Sequence, residues 1–120
     1  MSDLKMPYLN TVILAGRLVA DPHPLNGAEG RVGAALTLAV NRFRPGKANV
    51  TTFVELIAWG QPAEAAIKFC AKGSAVLVHG ALAQYERKNG KGPTTKTLQV
   101  SVVSLSLLDR KVPDESDPED

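Results

Sequence analysis

Hydrophobic and polar residues alternate in five stretches of this chain, and one stretch breaks that rhythm for a helical one. Between Thr51 and Gly60, Val54, Leu56 and Ala58 share one parity, while Phe53, Glu55, Ile57 and Trp59 share the other. On a strand these are two faces. The first is uniformly aliphatic and belongs in a core. The second sets two of the chain's six aromatics beside a charge, a composition suited to gripping something flat. After Gly60 the period changes. Pro62 fits the first turn of a helix, where a missing N–H costs nothing, and Ala63, Ala66, Ile67 and Cys70 recur at i, i+3, i+4 and i+7. Glu64 and Lys68 are spaced to pair across one turn on the far side, and Lys72 followed by Gly73 supplies a stop.

The other four alternating stretches flank this unit. In the first, Val12, Leu14, Gly16 and Leu18 share a face against Thr11, Ile13, Ala15, Arg17 and Val19, with Gly16 marking a bend. Residues 21–33 hold two prolines and three glycines and predict only turn and loop. A second strand places Leu36, Leu38 and Val40 inward. Residues 42–49 form a loop in which Arg42, Arg44 and Lys47 surround Phe43 without a carboxylate. In the fourth strand, Val76, Val78, Gly80 and Leu82 alternate with Leu77, His79, Ala81, Ala83, Tyr85 and Arg87. Asn89-Gly90 is a hairpin signal, with Lys88, Lys91 and Lys96 around it. The fifth strand, Thr94 to Leu107, buries Leu98, Val100 and Val102 and then changes parity to Val103, Leu105 and Leu107, which a bulge near Val102 explains. Strand, strand, strand, helix, strand, strand predicts an all-β fold, a five-stranded Greek-key barrel of the OB type with one α-helix between strands 3 and 4.

Composition adds a charge asymmetry. The net charge is +2, yet residues 1–108 carry 12 basic and 6 acidic side chains, whereas 109–120 carry six acidic and two basic ones. The expected organisation is a basic domain, 1–108, which attracts polyanions through screened electrostatics, and a short acidic tail, 109–120, expected to be disordered and able to compete for the same surface. The single cysteine, Cys70, excludes an intrachain disulfide and lies on the apolar helix face, where it reads as core filler. No apolar run reaches the ~20 residues that span a bilayer, and no secretory signal opens the chain, so the expected location is cytoplasmic and nucleoid-associated.

Three motifs carry a resemblance. They are N-x-V-x-L-x-G-x-L-x-x-D-P from Asn10 to Pro22, A-x-W-G-x-x-A-E through Ala58, Trp59, Gly60, Ala63 and Glu64, and K-G-S-x-V-x-V-x-G-x-L from Lys72 to Leu82. In this order and spacing the chain resembles the bacterial single-stranded DNA-binding proteins over residues 10 to 108. The resemblance implies an OB fold assembled as a homotetramer that wraps single strands without reading sequence, in replication, recombination or repair. It implies that Phe53, Trp59 and Phe43 stack on bases and that Arg17, Arg42, Arg44, Lys47, Arg87, Lys88 and Lys91 meet phosphates. Where many members place tryptophan in the fourth strand, this chain has Arg87, with Tyr85 two residues earlier on the same face as a further stacking residue. Where many have a basic residue, Glu55 stands. The family's acidic tip often closes in Pro-Phe and docks repair proteins; this chain stops at Pro118-Glu119-Asp120, which argues against recruitment through the tail.

Two other binding classes use a similar barrel. One is a homodimer resembling primosomal replication protein N, a restart factor; the other is an oligosaccharide-binding OB domain, which would need no cations. An enzyme is not expected. His23 and His79 have no second ligand at metal spacing, residues 90–97 lack the phosphate-loop pattern, and no serine sits in a nucleophile elbow. No catalytic residue, metal or cofactor is therefore assigned.

Overall fold

The computed structural model describes residues 4–88 and 90–108, without the side chains of Arg87 and Lys88. The acidic tail and Asn89 lie outside the described residues. Each predicted alternation becomes a strand. β1 spans Val12–Leu18, β3 Val32–Arg42, β4 Val50–Trp59, β5 Ala75–Lys88 and β6 Thr94–Leu107, with α1 at Gln61–Phe69 between β4 and β5. One strand was not expected. β2, His23–Asn26, occupies the segment read as loop and is followed by a 3-10 turn at Ala28–Gly30. β3 starts at Val32 and so offers an additional edge, and β2 pairs along it with Leu25 opposite Gly33. Pro24 is tolerated because β2 is the outermost strand of the sheet.

The strand order is β1-β5-β6-β4-β3-β2, and a further pairing of β1 with β3 joins the ends. Arg17 faces Ala39 and Leu18 faces Leu38 across that seam. Five strands thus close into a barrel, with β4 and β6 running parallel at Leu56–Val100 and the other pairs antiparallel. This is the OB fold. Two inward glycines make the closure possible. A Cβ at Gly16 would collide with the Ala39 carbonyl oxygen, and one at Gly80 with that of Ser101. The predicted bulge is present. His79 faces Ser104 while Gly80 faces Val102, so Val103 is the extra residue and the inward parity changes after it.

The core holds Leu18, Leu36, Leu38, Leu56, Val76, Val78 and Val100, with no buried polar or charged side chain among the described residues. Each such side chain contributes about 1.5–3 kcal/mol of burial. α1 closes one end of the barrel with Ala63 and Ala66, both buried. Three expected core residues lie outside it; Val103, expected inward after the parity change, is the extra residue of the bulge and is 62% exposed. Ile67, at the margin of the helix stripe, is 39% exposed, and Leu98 is 62% exposed. Leu98 keeps the predicted parity, but it pairs with Gln84 where β5 and β6 run on as a two-stranded ribbon.

The helix also ends earlier than Lys72. Cys70 caps it, its N–H bonded to the Ala66 carbonyl at 2.9 Å, because the following residues are taken up by the start of the barrel. Lys72 N–H donates to Asp21 Oδ1 at 2.8 Å. Gly73, at φ 92, donates its N–H to the Leu18 carbonyl at 2.8 Å. A chain held by β1 in this way cannot continue as helix.

Candidate nucleic-acid interface

Burying Leu56 and Ala58 forces the alternate residues of β4 outward. Phe53 is 64% exposed, Glu55 is exposed, and Ile57 and Trp59 are half-buried. Their partners on β3 are small: Ala39 opposite Phe53, Thr37 opposite Glu55, Ala35 opposite Ile57 and Gly33 opposite Trp59. Large side chains on β4 beside small ones on β3 leave a groove along the sheet. Near Trp59 this groove has a volume of about 560 Å³ and is bordered by His23, Thr37, Glu55, Tyr85 and Gln99. Tyr85 is 46% exposed and faces Thr97 on the same outer surface. Phe53 forms a second hollow with Leu82 and Leu98, which accounts for these two aliphatic residues lying outside the core.

Around Phe53 the face becomes cationic. Ala39 lies between Phe53 on β4 and Arg17 on β1, and Arg17 and Phe53 border one shallow hollow with Asn41 and Thr51. Arg17 Nη1 donates to the Gly73 carbonyl at 2.9 Å, which holds the guanidinium beside the barrel seam. Thr51 Oγ1 donates to Asn41 Oδ1 at 2.6 Å and ties the ends of β3 and β4 together. Arg42 ends β3, paired with Val50. Beyond it, Phe43 is 77% exposed, and the Lys47 N–H to Arg44 carbonyl bond of 3.0 Å turns the loop. Phe53, Trp59 and Tyr85 therefore border hollows on the outside of the barrel, with Arg17 beside Phe53, while Arg42 lies at the end of β3 and Phe43, Arg44 and Lys47 in the β3–β4 loop. Lys91 is exposed in the turn between β5 and β6. Arg87 and Lys88 belong to β5, and their side chains lie outside the described residues.

Sequence reasoning missed three residues that border the groove, His23, Thr37 and Gln99, and Arg31 beside it. The guanidinium carbon of Arg31 sits over the Trp59 ring, 4.8 Å from its centroid. Arg31 follows Gly30 in a segment read as loop, and only the register of β3 on β4 brings it to Trp59; the parity it shares with Gly33 was the one available signal. The groove itself is lined by Asp21 and Glu55 and by no Lys or Arg among the described residues. Its middle accordingly suits neutral rings better than phosphates. Cys70 is buried and does not line this groove; burial pushes its thiol pKa up, so it is a poor nucleophile at neutral pH. No group of three His, Cys, Asp or Glu able to hold a metal occurs among the described residues.

A closed OB barrel with an aromatic outer groove and basic margins is the architecture of a class that binds nucleic acids and oligosaccharides. The comparisons with known proteins specify the family. A model described as the single-strand binding protein family matches residues 9–108. The single-stranded DNA-binding protein of Thermotoga maritima is 31% identical over 110 residues, 88% of this chain and 78% of its own. Single-stranded DNA-binding protein 2 of Listeria innocua is 37% identical over 103 residues, 84% of this chain and 65% of its own. Single-stranded DNA-binding protein A of Bacillus subtilis is 32% identical over 105 residues, and the match spans only 61% of that protein. Among solved structures, a Plasmodium falciparum SSB complex with ssDNA superposes with a TM-score of 0.78 at 21% identity, covering 88% of this chain and all of the other. The chain belongs to the single-strand binding protein family. It is a DNA-binding chain by family, and no helix among its described residues is long and apolar enough to cross a membrane.

Proposed function

We propose that the protein binds and shields single-stranded DNA without reading its sequence, as a non-catalytic component of replication, recombination or repair. The observation that carries this reading is the outer face of β4, where Phe53 and Trp59 stand in one row against the small residues of β3. Bases stack on Phe53, Trp59, Tyr85 and Phe43, since every base has a flat face. Phosphates run to the cations at the margins, Arg17, Arg42, Arg44, Lys47, Arg87, Lys88 and Lys91. Glu55 then faces base edges rather than phosphates, which reconciles a carboxylate with a polyanionic ligand. The DNA-binding domain is residues 1–108, acting as a homotetramer in the cytoplasm and associated with the nucleoid.

Trp59 is the only tryptophan, so its fluorescence reports on the groove. Titration with a thymine oligonucleotide is expected to quench it, with log affinity falling against log salt by about 0.7 per phosphate contact; duplex DNA at the same concentrations is expected to quench little. Salt-independent binding would instead support an oligosaccharide-type site, and no change in fluorescence or mobility with either nucleic acid would refute the single-strand reading.

A further inference from the structure

Trp59 does not stand free of the protein. Its register partner is Gly33, where an added Cβ would lie 2.5 Å from Trp59 Cζ3; at Gly27 the corresponding distance is 2.7 Å. The six-membered ring therefore rests on bare backbone. Arg31 stands at the end of the same hairpin. Glu29 at φ 57 and Gly30 at φ 76 turn the chain there. The Arg31 N–H donates to the Ala28 carbonyl at 3.1 Å, and Gly27 N–H donates to the Arg31 carbonyl at 2.8 Å. With its backbone fixed from both sides, Arg31 places its guanidinium over the indole, 4.8 Å from the centroid. A planar cation thus occupies the ring surface that a base would need.

We propose that Arg31 is an exchange residue of the single-strand site: it covers Trp59 in the free protein, and on binding it yields the ring to a nucleobase and carries its charge to the neighbouring phosphate. This rests on the reading of the outer β4 face as that site. An exposed cation over a ring is held weakly, and a base offers a larger stacking surface. The displaced guanidinium stays tethered at the groove's end, where the strand brings its phosphates.

Two effects of opposite sign follow for Arg31→Ala. Losing the competitor favours stacking at any salt; losing the cation removes one phosphate contact, whose contribution fades as salt rises. Plots of log affinity against log salt for wild type and R31A are therefore expected to differ in slope by about 0.7, with R31A weaker at low salt and equal or tighter at high salt. Arg31→Lys is expected to restore the slope. In the free proteins, acrylamide is expected to quench Trp59 more efficiently in R31A than in wild type. If the wild type fails to bind the thymine oligonucleotide, the site reading and the proposal fall together. If the wild type binds and R31A keeps the wild-type slope, or is weaker by one constant factor at all salts, Arg31 serves only to support the ring and the proposal alone is overturned.

Discussion

Phe53 and Leu56 are three residues apart on one strand and have opposite duties. Leu56 is fully buried, whereas Phe53 is 64% exposed, so truncating Phe53 removes little of what holds the barrel together. Phe53→Ala is expected to leave the urea midpoint nearly unchanged while weakening single-strand affinity by the ~1–3 kcal/mol of one base–aromatic contact, or roughly 5- to 150-fold. A fall in stability as large as the fall in affinity would instead make Phe53 structural. Gly33 makes the complementary case. Gly33→Ala puts a methyl group 2.5 Å from Trp59 Cζ3, and the indole must tilt away from its floor. Near-ultraviolet circular dichroism of the free variant is expected to lose the Trp59 signal of the wild type, and quenching by a thymine oligonucleotide is expected to fall with it. The outward aromatics were legible because parity on a strand follows from two adjacent side chains. The glycine floor and Arg31 were not, because nothing local to residues 27–33 indicates which strand they will meet.

Elements show where local signals held and where tertiary contacts overrode them. The parity change in β6 was readable as a bulge, since Val102 and Leu105 cannot both face inward on an uninterrupted strand, and Val103 is the extra residue. The end of α1 was misread, because Lys72-Gly73 is a good local stop whereas the actual one is set by bonds to Asp21 and Leu18, about fifty residues away in sequence. Cys70, which caps the shortened helix, carries a consequence for pH. Burial raises its thiol pKa above the ordinary range, whereas in the unfolded chain it ionises near 8.5. Above about pH 8.5 the native state holds more protons than the unfolded state, so unfolding free energy falls as pH rises; below about pH 8 this contribution is complete and constant. Cys70→Val abolishes the ionisation. Urea midpoints measured at neutral and alkaline pH are expected to show the variant gaining on wild type as pH rises, and parallel curves would show that the thiol does not contribute.

At the scale of the whole molecule, the outer surface of β1 and β5 carries exposed apolar side chains. On β1, Ile13 is 65% exposed and faces His79 of β5, next to Leu77, which is 38% exposed. The segment before β1 adds Tyr8 and Leu9, 95% and 89% exposed. Asn10 fixes the end of that segment: its side chain donates Nδ2–H to the Leu82 carbonyl at 2.9 Å and accepts the Leu82 N–H at 2.8 Å. Exposed apolar side chains on two paired strands and the segment before them suit an interaction site, and one barrel engages only ~4–16 nucleotides, so wrapping a longer strand needs several copies. On this basis the mass in solution is expected to be four times the 12.8 kDa of one chain; twice would indicate a dimer. Ile13→Glu places a charge in this surface, at a residue that borders none of the hollows beside Phe53 and Trp59, and is expected to lower that mass. An oligonucleotide of about 10 nucleotides, within the reach of one barrel, is expected to bind Ile13→Glu as it binds wild type, while one several times longer binds the variant more weakly, because only an assembly links one barrel's strand to the next. Equal loss on both lengths would mean that the substitution damages the barrel, and an unchanged mass would mean that this face is not where the subunits meet.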